Sequence, residues 1–156
     1  MKLSFGVEWM LHSVALLALA PSGTSVSRRT LAEHYELPDA YLAKHLKSLV
    51  RNGILVATSG PHGGFKLARP PEDITALEIV DAVEGTAAPF VCQEIRQRGR
   101  AAASPSECQR PCGISLVMER AQQSWRTSLA GVSVVDLMRT TPKRIRTMNA
   151  KALAAL

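Results

Sequence analysis

The stretch SRRTLAEHYELPDAYLAKHLKSLVRNG, residues 27–53, decides the fold. Ser27 or Thr30 can cap a helix that turns Leu31 and Ala32 toward a core. Tyr35-Glu36-Leu37-Pro38 reads as a turn, with Pro38 at a helix entrance, where its missing N–H costs nothing. From Asp39 to Arg51, Leu42, Leu46, Leu49 and Val50 fall on an inner face, and Tyr41, Lys44, His45, Lys47 and Ser48 largely on the outer one. Asn52-Gly53 supplies a left-handed stop. Two short helices joined by such a turn have the spacing of a helix-turn-helix, whose second helix lies in a major groove. An amphipathic helix in any small bundle would share part of this pattern.

The residues that follow narrow the choice. Residues 54–57 and 65–68 are short strand-like runs flanking Thr58-Ser59-Gly60-Pro61-His62-Gly63-Gly64. A Gly/Pro tip between such runs makes a hairpin. A helix-turn-helix followed directly by a hairpin is a winged helix, and the expected class is mainly α with a small β-hairpin wing. Upstream, Leu3, Val7, Leu11, Val14 and Leu17 mark an amphipathic helix over residues 3–20, stopped by Pro21-Ser22-Gly23. Downstream, Ile114, Val117, Met118, Ala121, Trp125 and Leu129 form one apolar stripe over residues 113–129. A domain this small has little need of so apolar an extra helix, so the stripe points to a second copy of the chain. A short helix near Val135–Met138 and a frayed basic tail complete the reading. The expected organisation is a winged-helix domain over 1–85, a loop over 86–112, a dimerisation helix over 113–131 and a C-terminal segment over 132–156.

Charge agrees with a polyanionic partner. The net charge is +6; residues 27–69 hold seven Lys/Arg against three Asp/Glu, and residues 139–156 hold five against none. A basic face of this kind suits nucleic acid, although a solvated face is the plainer explanation for the tail. The start of the chain mimics a secretory leader, but Glu8 and His12 interrupt its apolar run. No stretch reaches the length of a membrane span, and the expected location is the cytoplasm. There is no Gly-rich phosphate loop, His-Glu-x-x-His or nucleophile motif, so no enzymatic activity is expected.

All three cysteines, Cys92, Cys108 and Cys112, lie in one polar, loop-like segment. Thiols in a solvated loop serve as metal ligands, redox groups or disulfide partners, or are incidental. An odd number argues against a secreted disulfide scaffold. Glu8 and His12 stand one helical turn apart, which suits either a surface pair or two ligands of one metal. Trp9 beside them is either an ordinary core residue or a means of passing a change along the helix.

SGPHGGFKLARPPEDIT (59–75) followed by IVDAVEG (79–85) resembles the signature of the IscR/NsrR/RirA family of dimeric winged-helix transcription regulators, many of which sense through an iron–sulfur cluster. The resemblance runs from about Met1 to Gly85 and continues loosely beyond. It implies a double-stranded, pseudo-palindromic DNA operator, a homodimer, and DNA contacts from Ser27, Arg28, Arg29, Asp39, Tyr41, Lys44, His45, Lys47, Ser59, His62 and Gly63. Ser59 stands where many members carry a wing arginine, and His62 is the candidate replacement. The cysteine spacing departs from that of the three-cysteine members. It is similar to that of RsrR-type redox sensors, which implies a [2Fe–2S] cluster held by Cys92 and Cys112 of one subunit and by Glu8 and His12 of the other. Cys108 is then spare or an alternative ligand. A structural zinc site, a thiol switch, or a nitric-oxide- or iron-responsive cluster are the competing expectations.

Overall fold

The computed structural model describes residues 2–60 and 63–154. Their order is α1 (Phe5–Leu17), α2 (Arg28–Tyr35), α3 (Asp39–Arg51), β1 (Leu55–Thr58), β2 (Gly64–Leu67), α4 (Ala76–Glu84), α5 (Gly113–Ala130), α6 (Val134–Thr140) and α7 (Lys143–Ala154), with 3-10 turns at Pro71–Asp73 and Ile95–Gln97. The chain divides into two compact units. One joins Lys2–Thr86 to Leu129–Leu156, and the other is Ala87–Ser128.

In the first unit α1 buries Val7, Met10, Val14 and Leu17, residues spaced by three and four. The buried stripe is therefore turned from the expected one: Leu3 is exposed, Leu11 only partly covered, and Met10 fully buried. The helix also ends three residues earlier, because Leu19 and Ala20 donate to Leu16 and Leu17 at i→i+3 spacing (2.9 and 3.1 Å) and tighten into a turn. Helix α2 starts where expected. The Ser27 hydroxyl accepts from the Thr30 N–H at 3.0 Å, and Glu36 closes the helix in a left-handed conformation at φ 51°. Helix α3 has the expected bounds, and Gly53 follows it at φ 67°.

One residue of α3 overturns its expected place. His45 is 5% exposed, so it does not belong to the outer, DNA-facing set. The reason is helical geometry: positions 42, 45, 46 and 49 form a single i, i+3, i+4, i+7 stripe, and all four are buried. The imidazole lies under Gly6 of α1, where an added Cβ would stand 2.5 Å from Nε2.

The wing strands pair antiparallel from Leu55↔Leu67 to Thr58↔Gly64, one residue displaced from the expected runs. Val26 adds a third partner: its N–H donates to the Phe65 carbonyl at 2.9 Å and its carbonyl accepts from the Phe65 N–H at 2.8 Å. This bridge explains Gly64, since a Cβ there would run into the Val26 backbone.

The C-terminal segment is part of this unit rather than a frayed tail. Thr75 with Glu78, and Ser133 with Asp136, form two capping boxes. Between them Ala76 N–H donates to Val132 O (2.8 Å) and Val134 N–H to Ile74 O (2.9 Å), which fastens the start of α6 beside the start of α4. Val134 and Leu153 are buried with Met10, Leu31, Leu46 and Ile79 in one core. Burying Leu153 gives α7 a tertiary anchor, and its Lys, Arg, Ala and Met content favours helix. By contrast, none of the described residues of α5 is buried, and Ile114, Val117 and Met118 are 67%, 54% and 39% exposed. No helix among the described residues is long and apolar enough to cross a membrane.

The Gly6–His45 approach makes a direct prediction. Gly6→Ala should destabilise the fold by roughly 1–3 kcal/mol through overpacking. In Gly6→Ala/His45→Ala the loss should be smaller than the sum of the two single losses. Urea denaturation of the four proteins of this cycle measures that coupling, and strict additivity would mean that the two residues do not meet.

Candidate nucleic-acid interface and thiol site

The reading surface is built from α2, α3 and the wing. Lys44 and Lys47 are exposed on α3, and neither has an ion-pair partner among the described residues. Tyr41 is 56% exposed and packs edge-on against Trp9, ring centroids 5.9 Å apart. Arg28 and Asp39 are not free for DNA in this state: the Arg28 Nε donates to Asp39 Oδ1 at 2.7 Å, joining the starts of α2 and α3. Arg29 similarly pairs with Glu33 one turn later, at 2.7 Å. Both pairs are exposed and contribute little to stability, so exchange for phosphate oxygens costs little. Ser27 is occupied as a helix cap.

At the wing, Ser59 is exposed and Gly63 N–H closes a turn onto Gly60 O at 2.9 Å. A Cβ on Gly63 would collide with the Thr58 carbonyl, so the tight tip needs glycine there. His62 lies outside the described residues. His45 sits beneath this surface. Burial pushes its pKa down, Lys44 lowers it further, and Glu84 acts in opposition. Its neutral ring is part of the α1–α3 contact.

The thiol site is built on the loop before α5. Cys112 directly precedes Gly113, the first residue of that helix, and the Ser115 N–H points at its sulfur at 3.4 Å. Unpaired N–H groups at a helix start stabilise a thiolate. The Cys112 pKa is accordingly held below the ordinary thiol value, first by the Ser115 N–H; burial opposes this, and the Ile114 N–H, the neighbouring Cys92 thiol and Arg96 lower it further. Cys92 is exposed and lines the same cavity as Cys112.

Arg96 is the residue that sequence reasoning passed over. Its guanidinium grips Glu94 through two bonds (2.6 and 2.8 Å) and donates to the Arg110 carbonyl at 3.1 Å. Held there, it faces both Cys108 and Cys112, and its own pKa is raised, chiefly by Glu94. Its place four residues after Cys92 was the available signal, shared with Arg98 and Arg100 close by. Phe90, Val91, Ile95 and Ile114 line an apolar cavity of about 360 Å³ beside Cys92 and Cys112.

Glu8 and His12 are both exposed on α1 and line a shared shallow cavity with Trp9, Tyr35 and Leu37. The Tyr35 hydroxyl donates to the His12 carbonyl at 3.4 Å. Among the described residues no three His, Cys, Asp or Glu side chains are grouped to hold a metal ion. Cys92 and Cys112 line one cavity, and Cys108 is not among its lining residues.

Comparison with known proteins agrees with this architecture. The family model described as "Rrf2: Iron-dependent Transcriptional regulator" matches residues 3–140. YffB of Lactococcus lactis, named as an HTH-type transcriptional regulator, is 31% identical over 137 residues, covering 88% of this chain and 86% of its own. The HTH-type transcriptional regulator IscR of Cereibacter sphaeroides is 40% identical over 88 residues, or 55% of this chain and 57% of that one. In structure, the chain is similar to CymR, the global cysteine regulator of B. subtilis, at a TM-score of 0.69 and 22% identity, covering 91% of this chain and 99% of that chain. The match over residues 3–140, together with the winged helix on which it falls, shows that the chain belongs to the Rrf2 family: it is a DNA-binding transcription regulator and not an enzyme.

Proposed function

We propose that this regulator is a cytoplasmic homodimer that senses redox state through a [2Fe–2S] cluster held between subunits. Cys92 and Cys112 of one subunit would hold it together with Glu8 and His12 of the other. The observation that carries this reading is the Cys92–Cys112 pair itself. Two adjacent thiols, one already favoured as thiolate, make half of a four-ligand site. Glu8 and His12, exposed one turn apart on α1, are a carboxylate and an imidazole able to supply the other half. The donor set fits an iron–sulfur core, and an imidazole in place of a thiolate raises its potential.

When bound, the cluster supplies a reversible one-electron couple. The chain's own residues supply the rest. The start of α5 favours the Cys112 thiolate, and Arg96 offsets the charge of the paired sulfurs. Trp9, next to Glu8 and against Tyr41, is placed to pass a shift of α1 to the recognition helix α3. Lys44 and Lys47 would contact phosphates of a pseudo-palindromic operator, and the exposed Ile114, Val117 and Met118 of α5 would pack on the second subunit. Ser59, Gly63 and His62 are the wing's proposed DNA contacts.

The contact between Cys92 and Cys112 also favours a second reading, a thiol switch. A hydroperoxide would take two electrons from the pair to form a disulfide, leaving water and an alcohol.

Anaerobic purification with a visible spectrum and iron and sulfide counts separates the two readings. The cluster should be lost in His12→Ala and kept in Cys108→Ala. A colourless wild-type protein that gains a Cys92–Cys112 bridge under peroxide would establish the switch instead. Trp9→Ala is expected to keep the cluster while operator affinity ceases to depend on its oxidation state.

For DNA, Lys44→Ala and Lys47→Ala should each weaken operator binding and reduce the salt slope of log K by about 1. An unchanged slope in both would remove them from the interface. For the dimer, Val117→Lys should yield monomers by light scattering, and a persistent dimer would exclude this face of α5.

A further inference from the structure

We infer that the groove enclosed by α1, α2, α6 and α7 is a binding site for a small organic carboxylate with an apolar body. The cavity measures about 510 Å³, within the range of small-ligand sites. All of its lining residues belong to the first compact unit.

Three observations converge on an anion. First, the Nε of Arg146, on α7, is buried without a hydrogen-bond partner, and the side chain makes no ion pair among the described residues. Buried donors are nearly always paired, so an open one marks the place of an absent acceptor. Second, none of the lining residues is Asp or Glu, so the walls do not neutralise this cation. Third, His12 and His34 flank Tyr35 along one side, with ring centroids 5.7 and 4.6 Å from it, and their imidazoles offer further donors.

The remaining lining selects what the anion is attached to. Leu16 and Met138 contribute hydrocarbon and thioether surface, and Ile145 and Met148 add more at an exposed rim, 42% and 57% accessible. Phosphate would need several N–H donors around one centre. A single arginine beside an apolar wall matches a monocarboxylate, whose two oxygens suit a guanidinium and whose hydrocarbon fills the rest. The site includes the C-terminal end of α2 and the middle of α1, so its occupant would touch both the helix-turn-helix and the helix that carries Glu8. Binding itself requires no iron, and His12 is the residue that this groove shares with the proposed cluster site.

Titration calorimetry of the full chain with hexanoate, and with hexan-1-ol as its uncharged counterpart, tests this. Hexanoate should bind saturably, once per chain, and at least about tenfold more tightly than the alcohol. Arg146→Gln should erase that preference, while Arg146→Lys, which restores a cation, should keep most of it. Matching circular-dichroism melts of the variants show that the fold is intact, and should Arg146→Gln fail to fold, the wild-type preference and Arg146→Lys still decide. Equal affinity for the two probes, no saturable binding of hexanoate, or a preference that survives Arg146→Gln in a folded protein would each overturn the proposal.

Discussion

Helix α1 can lie directly on α3 because residue 6 has no side chain. The ring of His45 occupies the space that a Cβ would take, and the neighbouring turns continue the contact through aromatic faces. Phe5 stacks on Trp9 at 6.5 Å, Trp9 meets Tyr41 edge-on at 5.9 Å, and Tyr41 leans on His45 at 5.7 Å. Protein interiors this close-packed move by steps rather than by continuous deformation. This packing joins α1 to α3, the helix with Lys44 and Lys47 on its outer face. Glu8 and His12 remain exposed on α1. The helix consequently has one side committed to the reading head and another open to chemistry.

That division was partly legible beforehand. The helix-turn-helix was readable because its punctuation is local: a serine cap, a proline at an entrance and a glycine at an exit each act within one turn. Strand ends were displaced by a residue because Val26, far away in sequence, pairs with Phe65 and fixes which residues are in the ladder. His45 was misplaced by its polarity, although its spacing from Leu42 and Leu49 already put it on the inner stripe. The C-terminal segment was underestimated for a similar reason. Its basic run resembles a solvated tail, and only the bridge of Thr75 to Ser133 and the burial of Leu153 show that it closes the core. At the thiols, the sequence showed the ingredients but not their grouping. The closeness of Cys92 to Cys112, across nineteen intervening residues, depends on a loop conformation that Arg96 helps hold.

The basic surplus also resolves into parts with different work. Of the cations between residues 27 and 69, Arg28, Arg29 and Arg69 are paired with Asp39, Glu33 and Glu78. Arg69 additionally donates to the Asp73 carbonyl at 2.9 Å, tying the wing's return to the capping box of α4. Lys44, Lys47, Arg51 and Lys66 have no such partner among the described residues. Net charge therefore overstates how many cations stand ready for phosphate, and the free ones centre on α3 and the wing.

The inequality of the three cysteines follows from where the loop ends. Cys112 abuts α5, so its sulfur takes the N–H groups that a helix start leaves unpaired, and the thiolate persists to lower pH than an ordinary cysteine's. Metal ligation requires the deprotonated sulfur, and at this position the helix start favours that form. Cys92 gains by adjacency, because its thiol can donate to the Cys112 thiolate until both are deprotonated on a metal. Cys108 shares the influence of Arg96 but has neither the helix start nor the paired thiol. Under the proposed cluster reading, two sulfurs of one loop and two donors exposed on α1 would each supply half of a four-ligand site. Under the cluster reading, dimerisation through α5 and occupation of the site become linked, since loss of either would leave each subunit with only half of the ligands.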